Sequence, residues 1–172
     1  MNYNQVIYTD GSCTNNGKSN SCGGIGVFIK VDDVRNISEP LSISNPTNQK
    51  AELIAIHKAV ELSTEPNVLI ITDSKYSINC LTLWYKKWIR DNWKLKNGQD
   101  VKNVELIKNT LNLLQLKKNN GVVITIKHIG DYGLHSHDHE PMSPMKREIW
   151  LGNQQADKLS KIGSNKQFKL NN

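Results

Sequence analysis

Two short apolar runs of this chain each end in an aspartate, QVIYTD at Asp10 and NVLIITD at Asp73. Runs of this length and composition predict strands, so both carboxylates are expected at strand ends. Two more carboxylates, Glu52 in TNQKAEL and Asp157 in GNQQADKLS, lie in amphipathic stretches that predict helices. Two Mg²⁺ ions held about 3.5–4 Å apart need several carboxylates, brought in from different elements, to offset their charge. The spread of these four acids over strands and helices fits that requirement.

The order of the predicted elements indicates an α/β fold. Apolar runs and alternating patterns predict strands over residues 5–9, 23–31, 35–43, 67–72 and 121–129. Helical periodicity predicts helices over residues 74–89, 101–116 and 153–162, and another that is capped by Thr47 or Asn48 and ends near Leu62. Three hairpin-like strands followed by alternating strands and helices predict a mixed five-stranded sheet, first antiparallel and then parallel, flanked by helices.

Length and charge bound the class of protein. A chain of 172 residues is long enough for one domain with a real core, which we expect over residues 1–163. Residues 164–172 are polar and are expected to form a frayed tail. The formal net charge of +6 favours a polyanionic partner, and basic residues concentrate in 86–102 and 117–127.

The cysteines and the hydropathy pattern indicate an intracellular protein. Cys13, Cys22 and Cys80 are odd in number and lack the spacing of a metal site, so we expect reduced thiols. No apolar run reaches membrane-spanning length and the N-terminus lacks a signal-peptide pattern, so neither a membrane partner nor secretion is expected.

The sequence motifs around the four acids are more specific than the acids alone. YTDGSC, TNQKAEL, IITDSKY and GNQQADKLS, in this order, resemble the motifs of the type 1 ribonuclease H family, from about Tyr3 to about Gly163. Members of that family cut the RNA strand of RNA–DNA hybrids. The resemblance implies a ribonuclease H-like fold, a monomer without an obligate protein partner, and endonucleolytic hydrolysis that leaves 5′-phosphate and 3′-hydroxyl ends.

The resemblance also implies a metal site with two Mg²⁺ ions, for which Mn²⁺ substitutes. Asp10 is expected to bridge the ions, with Glu52 and Asp73 completing the cluster. Asp157 is expected to complete the site of the water-activating ion. Because like charges crowd such a cluster, at least one carboxyl pKa is expected to be raised in the metal-free protein. A catalytically idle hybrid-binding module would lack one of these carboxylates, and none is missing.

Four positions match residues that contact the RNA strand in the family: Cys13, Asn16, Asn48 and Gln49. Small polar groups suit that task because they can both donate to and accept from the 2′-hydroxyls that distinguish RNA from DNA. Plain structural roles stay open for them. Asn16 precedes Gly17 in a turn signal, Asn48 can serve as a helix cap, and Cys13 can serve in packing.

The DNA strand is matched by other positions. Thr47 and Asn103 match a pocket that holds a DNA phosphate, and Tyr76 and Trp84 match aromatics that line the DNA-strand groove. Some relatives have an arginine two residues before the threonine. Here that residue is Asn45, so one charge is missing and a weaker pocket is expected.

The stretch WYKKWIRDNWKLKNGQDV, residues 84–101, matches the basic protrusion of cellular family members. Its cations are expected to make salt-sensitive phosphate contacts: Lys86, Lys87, Arg90, Lys94 and Lys96. The alternative is an ordinary solvated face, against which the interleaved tryptophans argue. Trp88 is expected to be mainly structural.

Two residues of this chain are candidates for the mobile catalytic histidine of the family. One alignment assigns it to His128 and the other, which we favour, to His137 in a long loop over residues 130–150. In the favoured alignment His128 belongs to the strand. The run HSHDHEP is also similar to a longer-loop variant found in some large DNA viruses. Its alternating histidines, His135, His137 and His139, also suit an adventitious transition-metal site.

Overall fold

The computed structural model describes residues 3–18, 20–135 and 142–170, with side chains as far as Lys166. At its centre is a five-stranded sheet with the order β3-β2-β1-β4-β5. The strands are β1 (Gln5–Thr14), β2 (Cys22–Phe28), β3 (Ile37–Pro40), β4 (Asn67–Thr72) and β5 (Val123–His128). β2 pairs antiparallel with β1 and β3, whereas β4 pairs parallel with β1 and β5. The predicted mixed sheet is confirmed.

Helices flank this sheet. They are α1 (Asn48–Leu62), α2 (Lys75–Asn79), α3 (Tyr85–Arg90), α4 (Val104–Asn119) and α5 (Pro144–Leu170). A π-helical turn, Cys80–Trp84, joins α2 to α3, and a 3-10 turn, Ile129–Tyr132, follows β5. Of the two predicted caps of α1, Thr47 is the one that acts, since its side chain accepts a hydrogen bond from Lys50 N. Within the described part of the chain, no helix combines the length and apolarity needed to cross a membrane.

The adjacent strands β1 and β4 are buried on both faces. Ile7 of β1 packs in a core with residues of α1 and α4 such as Leu53 and Ile107. The next residue, Tyr8, packs in a second core with Ile149 of α5. Since successive side chains of a strand point to opposite faces, burial on both sides explains why these strands appear as continuous apolar runs.

Strand β1 extends to Thr14, beyond the predicted end at Thr9. Its parallel pairing with β4 does end at Thr9, opposite Thr72. Its antiparallel pairing with β2 continues to the pair Thr14 and Cys22. Asp10 therefore lies inside a strand, at the point where one neighbour stops and the other continues.

The helix predicted over residues 74–89 is interrupted by the π-helical turn at Cys80–Trp84. Within this segment the Thr82 hydroxyl donates to the carbonyl of Ile78 at 2.7 Å, an interaction that bends helices. The helix predicted from residue 101 begins instead at Val104, because Asn103 has the left-handed φ of 59°.

Helix α5 is longer than predicted at both ends. Residues 144–150, expected in a loop, are helical, because Ser143 and Pro144 supply a cap and a first-turn proline. The expectation of a frayed tail from residue 164 is wrong for the described part, since the helix continues to Leu170. Gly163 lies against β3, where a Cβ would come 2.4 Å from Glu39 O, and Ser164 is buried.

Candidate active site and nucleic-acid interface

Strand register places two of the predicted acids side by side. Thr9 of β1 pairs with Thr72 of β4, and each is followed directly by an aspartate, Asp10 and Asp73. The carboxyl ends of adjacent parallel strands are a common location for ligand sites. Asp10 is 7% exposed, and Asp73 is half-buried.

Helix α1 brings Glu52 to the same point. The helix lies so close to β1 that a Cβ on Gly11 would be 2.2 Å from Glu52 N. One carboxylate oxygen from each of Asp10, Glu52 and Asp73 lies within 4.8 Å of the other two. Glu52 is buried, and within the described part of the chain its Oε2 atom has no hydrogen-bond partner. A buried carboxylate oxygen without a donor is costly unless a proton or a cation completes it.

Asp157 of α5 lies at the same cavity, which has a volume of about 570 Å³ and is lined by all four predicted acids. Asp157 stands apart from the tight triad and forms an ion pair with Lys161, with Lys161 Nζ 2.8 Å from Oδ2. The structure thus brings the four predicted acids together, three in close contact and one at the wall.

Two residues of the site, Ser160 and Lys161, were not predicted from the sequence. The Ser160 hydroxyl donates a hydrogen bond to Asp10 Oδ2, and Lys161 lines the cavity beside Asp157. They follow Asp157 by three and four positions, the spacing that places residues on one face of a helix. That spacing was the available signal for both.

The electrostatics of the triad reflect uncompensated negative charge. Burial raises the pKa of Asp10 to about 6, with Asp73 and Asp157 adding to the rise and the Ser160 hydrogen bond opposing it. Burial and the charges of Asp10 and Asp73 raise the pKa of Glu52 well above its usual value. Burial also raises the pKa of Asp73. The expected upward shift in the metal-free cluster is present in all three acids.

The residues predicted to contact RNA lie next to the acids. Cys13 and Asn48 line the acidic cavity. Asn48 also lines a second cavity of about 770 Å³, together with Asn16 and Gln49. The Asn48 N–H donates to Asn16 Oδ1 at 3.2 Å, and the Cys13 thiol donates to the carbonyl of Pro46 at 3.2 Å. Asn48 is therefore common to both cavities.

The second cavity also contains the residues predicted to hold a DNA phosphate. Thr47 and Asn103 line it, next to the N-termini of α1 and α4. Lys50 and Lys102, which were not predicted as site residues, line it too. These lysines bring positive charge to the pocket predicted to hold a DNA phosphate, to which the neutral Asn45 adds none.

A row of aromatic rings leads away from this cavity. Asn103 Nδ2 donates to the Tyr76 hydroxyl at 3.0 Å, and the Tyr76 ring meets Trp84 edge-on at 6.2 Å. Trp84 and Trp88 are 5.8 Å apart, and Trp88 and Trp93 are 6.1 Å apart. Trp88 packs against the core beneath α1 and α4, which agrees with its expected structural role.

The cations of the basic protrusion fall into two groups. Lys87 is paired with Asp91 at 2.6 Å, and Lys94 with Asp100 at 2.7 Å. The other three are exposed, and the described structure records no ion pair for them: Lys86, Arg90 and Lys96.

The two candidate histidines have different outcomes. His128 is the last residue of β5, paired with Thr72, as the favoured alignment expected. The favoured catalytic residue, His137, and its neighbour His139 lie outside the described residues, so both the catalytic and the transition-metal expectations for this run stay predictions.

Comparison with known proteins agrees with this geometry. The profile of the RNase H family matches residues 2–165. A ribonuclease H of Schizosaccharomyces pombe is 39% identical over 160 residues, covering 93% of this chain and 53% of that protein, so the chain spans about half the length of this relative.

Two solved structures share the fold. The PFV RNase H domain superposes with a TM-score of 0.66 at 25% identity, covering 96% of both chains. The foamy viral protease-reverse transcriptase in complex with an RNA/DNA hybrid gives a TM-score of 0.66 at 26% identity, over 95% of this chain and 20% of that one. The chain belongs to the RNase H family.

Proposed function

We propose that this protein is an endoribonuclease that hydrolyses the RNA strand of RNA–DNA hybrids with the help of divalent metal ions. The observation that carries the proposal is the acidic triad, in which Glu52 Oε2 has no hydrogen-bond donor among the described residues. Membership of the RNase H family and the hybrid bound to the foamy viral neighbour support the same substrate.

The donor set fits a hard divalent cation. The cluster offers carboxylate oxygens, the ligands that Mg²⁺ prefers, and the raised pKa values of its acids reflect charge that a cation would neutralise. We assign two Mg²⁺ ions to the site, replaceable by Mn²⁺, which Asp10, Glu52, Asp73 and Asp157 would hold. Bound there, the ions would supply activation of a water molecule and stabilisation of the leaving 3′ oxygen, which would yield 5′-phosphate and 3′-hydroxyl ends.

The chain's own residues hold this arrangement. The strand register keeps Asp10 beside Asp73, and the close contact at Gly11 seats Glu52 against them. Lys161 holds the Asp157 carboxylate at the wall of the cavity. His137, which precedes α5 in the sequence, is assigned the movement of protons and the release of product, for which an imidazole that titrates near neutral pH is suited.

The two cavities suit two different strands. Cys13 and Asn48 lie beside the acids, so the scissile strand passes there and presents its 2′-hydroxyls to Asn16, Asn48 and Gln49. The complementary DNA strand places a phosphate in the second cavity, between the N-termini of α1 and α4.

The DNA strand continues over the aromatic row. Tyr76 connects to the second cavity through Asn103, and Trp84 extends the surface toward the basic protrusion. An apolar ring suits a deoxyribose and tolerates a 2′-hydroxyl poorly. The protrusion then adds phosphate contacts that depend on salt.

We further propose that the protein acts as a monomer inside the cell, without an obligate protein partner. The three cysteines are free thiols, which suits a reducing compartment.

The rival function is that of a DNA-cutting nuclease on the same fold. Matched RNA–DNA, RNA–RNA and DNA–DNA duplexes, each with Mg²⁺ and with chelator, distinguish the two. We expect cleavage of the RNA strand of the hybrid alone, lost with chelator and lost in Asp10→Asn. Equal cleavage of the DNA–DNA duplex would overturn the proposal.

A further inference from the structure

Helix α5 lies directly on the backbone of β2, next to the acidic cavity. A Cβ on Gly26 would come 2.0 Å from Ala156 O and 2.6 Å from Ser160 N. A Cβ on Gly24 would come 2.1 Å from Ser164 N. No side chain separates the helix from the strand at these two points, so the distance between α5 and the sheet is set by the backbone itself.

This close packing places one hydroxyl on the central acid. Ser160 is fully buried, and its Oγ donates a hydrogen bond to Asp10 Oδ2. The same Oγ lies 2.9 Å from the carbonyl oxygen of Asp157, one turn earlier in α5. A hydroxyl has one proton, and the anionic oxygen is both the nearer and the stronger acceptor, so the proton goes to Asp10.

We propose that Ser160 is a positioning residue that fixes the orientation of the Asp10 carboxylate for cation binding. The inference rests on the proposed function of the acidic cluster. A carboxylate rotates broadly about its last side-chain bond, because that torsion has no deep staggered minima. The hydrogen bond from a buried hydroxyl removes this freedom, and burial prevents a water molecule from taking over when the hydroxyl is absent.

Ser160 also connects two of the acids. It lies in the same helix as Asp157 and touches Asp10 of β1 directly. A shift of α5 would therefore move Asp157 and release Asp10 together. Hydrogen-bond partners of metal ligands orient those ligands, and their loss commonly weakens metal binding by about 10- to 100-fold.

The test compares Ser160→Ala with Ser164→Ala. Ser164 is a matched control because it is a buried serine one turn further along α5, also packed on β2. Its recorded hydrogen bonds join it to the Ser12 hydroxyl and the Lys161 carbonyl, and not to an acid. Both variants lose one buried hydroxyl, so a general loss of packing affects both, whereas loss of carboxylate orientation affects Ser160→Ala alone.

Two readouts are measured on each variant of the 172-residue chain. The first is the midpoint Mg²⁺ concentration for the rise in melting temperature of the hybrid-free protein, which reports binding without catalysis. The second is the Mg²⁺ concentration for half-maximal cleavage. For Ser160→Ala we expect both midpoints to rise about tenfold, with KM for the hybrid unchanged and kcat recovered at saturating Mg²⁺. Ser164→Ala should keep the wild-type midpoints. Ser160→Cys, which retains a weaker donor, should fall between wild type and Ser160→Ala.

Unchanged Mg²⁺ midpoints in Ser160→Ala, or equal shifts in both alanine variants, would overturn the proposal. If Ser160→Ala does not fold, wild-type midpoints in Ser160→Cys would do the same. A wild-type protein that binds Mg²⁺ but cuts no hybrid, with the shift present at Ser160, would refute the proposed function and leave the positioning role standing. A melting temperature of the wild type that does not respond to Mg²⁺ would overturn both.

Discussion

The Nε2 atom of His128 lies 3.0 Å from the backbone carbonyl oxygen of Asp73. Nδ1 of the same ring accepts a hydrogen bond from Gly130 N at 2.8 Å, so the ring proton is on Nε2, which donates to Asp73. Both ring nitrogens are therefore occupied within the chain. His128 ties the end of β5 to the end of β4 and is not placed to move toward a substrate.

From this geometry we predict different consequences for the two histidines. His128→Ala removes two hydrogen bonds and should lower the free energy of unfolding in urea by about 1–3 kcal/mol, with a smaller effect on kcat. His137→Ala should lower kcat substantially and leave hybrid affinity nearly unchanged, because its proposed task is proton movement and product release.

The neighbouring histidines are the controls for this comparison. His135→Ala and His139→Ala should change kcat little. A large loss of kcat in His128→Ala with none in His137→Ala would reverse the assignment, and residues beyond Gly130 would then be a simple insertion.

The acidic cluster was predictable because local patterns determine it. Each strand that ends at an aspartate is marked by an apolar run, and parallel pairing then brings Asp10 and Asp73 together. The adjacent residues Ser143 and Pro144 are also a local signal for the start of α5, but the helix was predicted to begin only at residue 153.

Other features depend on contacts between distant segments and have no local pattern. The hydrogen bond from Ser160 to Asp10 requires the close approach of α5 to Gly26, which only the folded chain shows. The lysines of the second cavity are far apart in the sequence, Lys50 at the start of α1 and Lys102 before α4. Periodicity within one element cannot predict such neighbours.

Asp10→Asn should stabilise the metal-free protein at neutral pH. Burial raises the pKa of Asp10 from 3.8 to about 6, so between these values the folded protein binds more protons than the unfolded chain. Stability therefore falls as pH rises through this window. Asparagine removes the cost, and we expect a gain on the order of 1–3 kcal/mol at pH 7 in chelator, measured by urea unfolding.

The same variant should have no such gain well below pH 3.8, where the carboxyl group is protonated in both states, and Mg²⁺ should reduce the gain at pH 7 because it neutralises the wild-type cluster. Cleavage should be lost while hybrid binding is retained. An equal gain at both pH values would show that the stabilisation does not come from charge.

Lys102 should supply part of the positive charge of the second cavity, which Lys50 also lines. Its replacement by alanine should raise KM for the hybrid. It should also make the negative slope of log affinity against log salt shallower by about one. Lys58→Ala is the control, since it removes the same charge from the later part of α1, where Lys58 pairs with Glu61 at 2.9 Å. An equal effect of both variants would mean that net charge, not a phosphate contact, is responsible.

Asn45 has a φ of 50°, a left-handed conformation that asparagine tolerates better than arginine. An arginine at this position would therefore strain the turn before α1. Asn45→Arg should lower the melting temperature even if it strengthens hybrid binding at low salt. A variant with unchanged stability would show that the turn adapts without strain.

The ion pairs of the basic protrusion predict which of its cations bind phosphate. Lys86 and Arg90 form no ion pair within the described part of the chain and lie one helical turn apart, so the double alanine variant should make the salt slope shallower by about two. Lys87 and Lys94 already neutralise Asp91 and Asp100, and their double alanine variant, which loses the same charge, should change the slope less. Exposed ion pairs contribute only about 0–1 kcal/mol, so a strong phosphate contact can open them. Equal slopes for the two double variants, measured by hybrid binding across a salt series, would show that the ion pairs open on binding.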